Sequence, residues 1–110
     1  MSDAELDRLF RALADATRRD IIARVMAGET ASVSALAARY DMSFAAVQKH
    51  VAMLEEAGLV TKRVRGRERI VHGNPERIAR ARALLGQLEE LWRARFSRID
   101  DLFIDPNTEE

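Results

Sequence analysis

The sequence predicts a mainly α chain with one small β-hairpin, and two observations predict it. Apolar residues recur at spacings of three and four through about five stretches, the pattern of helices with one buried stripe. One stretch departs from it: Leu59 to Val64 and Glu68 to His72 are β-prone runs rich in Val, Ile and Thr, parted by the glycine turn Arg65-Gly66-Arg67.

Length and composition bound the possibilities. The 110 residues suit one domain, 1–104, whose folding buries roughly 65% of the unfolded chain's surface. Residues 105–110, with Pro106, are expected to form a frayed tail. There is no cysteine, which excludes disulfides, thiolate metal sites and thiol redox chemistry. No apolar run approaches the ~18 residues of a membrane span. The acidic start, MSDAELDRLF, lacks the order of a signal peptide, so a cytoplasmic location is expected.

Formal net charge is zero, but its distribution is uneven. Between Val60 and Arg82 eight basic residues face two acidic ones, a net +6 that leaves −6 for the rest. Such segregation suits either a local anion-binding surface or a set of solvated faces. Only two of the 18 basic residues are lysines, and arginine's planar fork suits phosphate and guanine.

Along the chain, residues 4–14 place Leu6, Leu9, Phe10 and Leu13 on one helical stripe. Thr17 with Asp20 forms a weak capping box for a second helix through Ile21, Ile22, Val25 and Met26, closed by Gly28. Arg18, Arg19 and Arg24 fall on its outer side, to touch a phosphate backbone or pair with Asp15 and Asp20. Ser32 or Ser34 starts a short third helix with Leu36 and Tyr40 as buried anchors.

The most informative stretch is Asp41 to Val60. Ser43 is an N-cap, Val47, Val51 and Leu54 share one face, and Gly58 supplies the left-handed stop. The opposite face carries Phe44, Gln48 and Lys49, with His50 at its edge. A helix with that apolar back and that front can enter a DNA major groove and read base edges. Gln48 can bond adenine bidentately; Phe44 can meet a thymine methyl or pack on the neighbouring helix. Two helices joined by a short turn form a helix-turn-helix, and the basic hairpin that follows makes it a winged helix-turn-helix. Arg63, Arg65 and Arg67 on that wing are candidate phosphate contacts.

Asn74-Pro75 starts a last helix, about 75–103. Ile78, Leu85, Trp92 and Ile99 recur every seven residues, with Ala81, Leu88 and Leu102 three later, and Arg95 interrupts the seam. A repeat over more than three heptads implies packing on another helix. The first helix can cover part of it and a second copy of the chain is the expected partner for the rest, through Leu6, Phe10, Ile78, Leu85, Leu88, Trp92 and Ile99 of the terminal helices; a monomeric core helix is the alternative.

The order of these elements, with LADATRRDII, the run SALAARYDMSFAAVQKHVAMLEEAGLV and the Arg-Gly-Arg wing, resembles the ArsR-type bacterial repressors over about residues 4–100. The resemblance implies a dimeric winged-helix repressor of operator DNA, often responsive to a metal or another signal. It places Ser43, Gln48, Lys49 and His50 among the recognition-helix contacts and Arg65 and Arg67 at the wing tip. Phe44 departs from the polar residue often found after the serine, and Gln48 from a common serine. The family's metal ligands are absent: the third helix has no thiol and the last no histidine. Only His50 and His72 are present, without helical ligand spacing.

These observations predict a homodimeric repressor of a near-palindromic, double-stranded operator, with no metal, no cofactor and no membrane partner. The effector, if one exists, is not named by the residues. A winged-helix module that docks an acidic protein is the alternative. An enzyme is not expected, because no glycine-rich phosphate loop, no nucleophile with a histidine partner and no paired carboxylates are present.

Overall fold

The computed structural model describes residues 1–103, with side chains to residue 98; the expected tail at 105–110 lies outside the described residues. Five helices and three short strands follow in the order α1, α2, β1, α3, α4, β2, β3, α5. The chain divides into two compact units, Met1–Ile78 and the part beginning at Ala79.

Helix α1 (Asp3–Leu13) opens with a reciprocal cap: Ser2 Oγ accepts from the Glu5 N–H, and Glu5 Oε1 accepts from the Ser2 N–H, both at 3.2 Å. Leu9 and Ala12 are buried, with Leu6, Phe10 and Leu13 half-buried beside them. Helix α2 (Ala16–Met26) is capped by Asp15, whose carboxylate accepts from the Arg18 N–H at 3.1 Å. This corrects the expected Thr17 cap. Asp15 has the extended backbone of an N-cap, and its charge suits the positive end of the helix, so Thr17 falls within the first turn. Gly28, at φ +91°, ends the helix in the left-handed region.

The sequence reading missed β1 (Ala31–Ser32). Ser32 also caps α3 (Val33–Ala37), accepting from the Ala35 N–H at 3.0 Å. Helix α3 stops at Ala37, so Tyr40 lies beyond it. Leu36 is fully buried as expected; Tyr40 is half-buried and its hydroxyl donates to Asp20 Oδ2 at 2.6 Å.

Helix α4 (Phe44–Glu56) starts at Ser43, whose Oγ accepts from the Ala46 N–H at 3.1 Å. Val47, Val51 and Leu54 are completely buried, and Gly58 at φ +77° turns the chain out of the helix. Strands β2 (Val60–Arg65) and β3 (Glu68–Gly73) pair antiparallel from Val60↔Gly73 to Arg65↔Glu68. The two-residue loop has Gly66 first, at φ +67°, the glycine position of a type II′ hairpin. Strand β1 adds to the far edge of β3, giving the order β1-β3-β2.

Helix α5 (Pro75–Phe103) begins as the Asn-Pro pair predicts, with Asn74 Oδ1 accepting from the Arg77 N–H at 3.3 Å. Asn74 also donates from Nδ2 to the Gly58 carbonyl at 3.0 Å and from its backbone N–H to Leu59 O at 2.9 Å. The start of α5 is thereby tied to the end of α4. No described helix is long and apolar enough to cross a membrane.

Three carboxylates of the first unit are held below their ordinary range. Glu5 is lowered by the Ser2 N–H and then by Arg77, Asp15 by the Arg18 N–H, and Asp20 by the Tyr40 hydroxyl and then Arg24. The folded form therefore binds fewer protons than the unfolded chain in acid. The stabilisation is complete above the unfolded carboxylate range, about pH 4–5, and is lost as pH falls through the lower folded values. Urea midpoints are expected to drop between about pH 5 and about pH 3, with a shallower drop in Asp15→Asn.

Candidate nucleic-acid interface

Burial of Val47, Val51 and Leu54 turns the other side of α4 outward. Phe44 is 48% exposed, and Gln48 and Lys49 are also exposed. Phe44 thus lies outside the core, beside Ser32, Val33 and Ser34 at the start of α3. Ser43 sits at the tip of the helix, its hydroxyl oxygen engaged as the cap.

His50 is placed differently. Its ring is turned toward the α1–α2 junction, with Nδ1 3.1 Å from Arg18 Nη1 and only 20% of the side chain exposed. Sequence reasoning set it at the edge of the front. The structure sets it beside a guanidinium from another helix.

The wing brings a second group of side chains to the same region. Phe44 and Gln48 of α4, Ser32, Val33 and Ser34 at the start of α3, and Lys62, Arg67, Glu68 and Arg69 of the wing line one cleft of about 330 Å³. Arg63 and Arg65 are exposed but alternate to the other face of β2 from Lys62, so they are not brought into this cleft. Arg69 was not among the candidate contacts. Its pairing with Val64, on the same face as Lys62, is the signal that marks it.

Not all the basic residues of this segment are available to an anion. Lys62 Nζ lies 3.3 Å from Glu55, and Arg77 Nη1 lies 3.3 Å from Glu5. Among the described residues Arg63, Arg65, Arg67 and Arg69 make no ion pair with a carboxylate.

Arg18, Arg19 and Arg24 divide between roles. Arg24 Nε binds Asp20 at 2.8 Å, which is the expected pairing. Arg18 and Arg19 instead donate to main-chain carbonyls at the end of α1: Arg18 Nε to Ala12 and Arg19 Nη1 to Leu13, both at 2.7 Å. These carbonyls have no partner within α1, which makes them strong acceptors.

In the second unit, α5 carries an apolar face open to solvent: Leu85, Leu88 and Trp92 are 50%, 49% and 60% exposed, with Leu91 and Phe96 beside them. The Trp92 and Phe96 rings lie 5.3 Å apart between centroids, tilted by 60°. In the first unit Leu6, Phe10 and Ile78 are half-buried, and the side chain of Ile99 lies outside the described residues. Among the described residues no group of three His, Cys, Asp or Glu side chains is placed to hold a metal ion.

Two helices in sequence, an exposed polar front on the second and a basic hairpin against it define a winged helix-turn-helix protein. A helix-turn-helix domain model matches residues 13–63. A helix-turn-helix transcriptional regulator of Mycobacterium tuberculosis is 38% identical over 86 residues, covering 78% of this chain and 77% of the relative. An ArsR-like transcriptional regulator from Rhodococcus superposes with a TM-score of 0.73 at 30% identity, over 91% of this chain and 93% of that one. The homodimeric winged helix-turn-helix DNA-binding domain of a possible ArsR-family regulator from Mycobacterium bovis gives a TM-score of 0.64 at 25% identity, over 82% and 88% of the chains. The chain belongs to the ArsR-type winged helix-turn-helix transcriptional regulators.

The two kinds of residue at the tip of α4 are separable by stability. Ser43→Ala removes the cap and is expected to cost about 1 kcal/mol. Gln48→Ala, at an exposed position, is expected to stay within about 0.5 kcal/mol of the parent. Urea denaturation of both variants checks this.

Proposed function

We propose that this regulator is a homodimeric repressor that binds a near-palindromic operator in the cytoplasm and is not switched by metal. The observation that carries the reading is the shared cleft: Phe44 and Gln48 face outward from α4 beside Arg67 and Arg69 of the wing. In this reading α4 enters the major groove, Gln48 and Lys49 meet base edges and phosphate, and the wing arginines hold the flanking backbone. Ser43 orders the first turn of α4, so that its hydroxyl acts close to the phosphates. Arg63 and Arg65, on the other face of β2, are set to reach a neighbouring phosphate.

The exposed stripe on α5 supports the dimer. Five large apolar side chains in succession, about half exposed, are more than a lone helix leaves in water without a partner. A second copy brings a matching stripe and places two recognition helices about one turn of DNA apart, which requires a two-fold site. A dimer spanning that site excludes other proteins from it, and repression follows from occupancy. The donor set argues against a metal switch: the chain has no cysteine, and its two histidines lie on α4 and β3 rather than together on one helix.

Selection from a pool of random duplexes, followed by fluorescence anisotropy over a salt series, tests the DNA reading. Gln48→Ala is expected to weaken the selected site by about 1–3 kcal/mol and leave random DNA nearly unchanged. Arg67→Ala and Arg69→Ala are each expected to weaken both DNAs and reduce the salt slope by about one. Equal losses on both DNAs in Gln48→Ala would mean that another element reads the sequence. A selection yielding no preferred duplex, with capture of acidic protein instead, would support a protein-docking winged helix. Added zinc is expected to leave the affinity unchanged.

The dimer has its own test. Leu88→Glu places a charge in the middle of the α5 stripe and is expected to give a folded monomer by sedimentation velocity. A dimer that persists in Leu88→Glu would place the interface elsewhere.

A further inference from the structure

One side chain at the α1–α2 junction reaches the recognition helix without touching its outward face. Arg18 Nε donates to the Ala12 carbonyl at 2.7 Å, and Nη2 donates to the Arg11 carbonyl at 3.0 Å. Both acceptors belong to the last turn of α1. The third nitrogen, Nη1, lies 3.1 Å from Nδ1 of His50, 32 residues further along the chain. A single guanidinium thus joins the end of α1, the start of α2 and the middle of α4.

The chemistry of this contact selects a tautomer. A guanidinium can only donate, so in this contact His50 Nδ1 accepts with its lone pair, the arrangement of the Nε2–H tautomer. The Asp15 carboxylate is the competing partner, 3.8 Å from the same nitrogen. That distance is too long for a hydrogen bond, so Arg18 holds the ring. Arg18 and Asp15, both from the α1–α2 junction, are the charged groups whose hydrogen bond and ion pair fall at Nδ1. Asp15 is itself held ionised, first by the Arg18 N–H that it caps.

We infer that Arg18 is a positioning residue for DNA reading, which holds α4 through His50 only while that imidazole is unprotonated. This rests on the reading of α4 as the helix that enters the groove. Protonation turns Nδ1 into a donor, so that two donors and two positive charges confront each other. The ring must then leave Arg18, and Asp15 is the neighbour able to accept from it. His50 lies two residues beyond Gln48 on the same turn, so this exchange of partner shifts the turn that carries the outward face. Imidazole is the side chain whose charge ordinarily changes between about pH 5 and pH 8.

The sign of the effect separates this role from a direct one. A histidine that touched a phosphate would bind DNA more tightly when protonated, because it would gain a positive charge. A histidine held by Arg18 does the reverse.

The test measures affinity for the selected operator from about pH 7.5 to about pH 5.5, at constant salt. The parent protein is expected to lose about tenfold in affinity over this range, the scale of one hydrogen bond to a charged group. His50→Asn keeps an acceptor near the Nδ1 position but cannot titrate, and is expected to bind with little pH dependence. His72→Gln, which removes the only other histidine, is expected to behave as the parent does. Arg18→Ala is expected to bind weakly and evenly across the range. If urea denaturation shows this variant unfolded, His50→Asn decides alone. Nitrogen-15 spectra of the imidazole at about pH 7.5 should show the Nε2–H tautomer.

Affinity that rises as pH falls, a His50→Asn variant as pH-sensitive as the parent, or an Nδ1–H tautomer would each overturn the inference. Absence of any preferred duplex at every pH would instead overturn the reading of α4, and this inference with it.

Discussion

The apolar back of α4 is the constraint on which the geometry of its outward face depends. Val47, Val51 and Leu54 are shut off from solvent completely. Burying three such side chains contributes roughly 1.5–3 kcal/mol each. Any rotation of the helix large enough to hide Gln48 would expose at least one of them. A glutamine on the surface has no comparable term to set against that loss. The orientation of the polar front is therefore a consequence of the core, and the front itself is free to vary in sequence without cost to the fold. In this way one scaffold can carry different outward faces.

The junctions around α4 are held by polar groups that finish helix ends. Arg18 and Arg19 take up carbonyls at the end of α1, and Asn74 takes up the Gly58 carbonyl where α4 has just ended. Arg24, Asp20 and Tyr40 link α2 to the segment after α3, and Arg39 pairs with Glu29 at 2.6 Å. Exposed ion pairs of this sort contribute little stability individually. Their effect is on direction: each makes one arrangement of two elements better hydrogen-bonded than its neighbours. Gly58 belongs to this group through space as well as through its φ of +77°. A Cβ there would lie 2.8 Å from Arg77 Nε, within the side chain that pairs with Glu5.

Features fixed by neighbours in sequence were legible from the sequence, and features fixed by distant partners were not. Ser43, Gly58, Gly66 and Asn74-Pro75 each act within a few residues, through a cap, a left-handed turn or a helix start, and each lies where it was expected. Strand β1 is two residues long and exists because Ala31 and Ser32 pair with Val71 and Ile70, about forty positions away. No local pattern announces such a strand. The spacing of Thr17 to Asp20 suggests a capping box, whereas the cap is the carboxylate of Asp15, the stronger acceptor. The apolar spacing marks Tyr40 as a buried anchor, but its hydroxyl has a carboxylate partner that keeps the ring half open. The outward face of the candidate site was legible because it is the complement of a periodic apolar back. The inward turn of His50 was not, since it depends on an arginine from another helix.

Charge can then be assigned to places rather than totals. A net charge of zero gives no long-range attraction to DNA, so association depends on a local field. Of the eight basic residues between Val60 and Arg82, Lys62 and Arg77 are committed to Glu55 and Glu5, and both of those carboxylates lie outside the basic segment. The acidic remainder of the chain thus pairs with Lys62 of β2 and Arg77 of α5, while Arg63, Arg65, Arg67 and Arg69 of the wing make no ion pair among the described residues. Within the wing, alternation along β2 sends Arg63 and Arg65 to one face and Lys62 to the other, where Arg67 and Arg69 share its cleft. Positive charge therefore flanks both sides of the hairpin, while the side nearest α4 also carries Gln48 and Phe44. A surface that combines fixed charge with neutral donors and an exposed ring can bind any phosphate backbone loosely and a particular base sequence more tightly. That difference is what a regulator needs in order to leave random DNA for its own site.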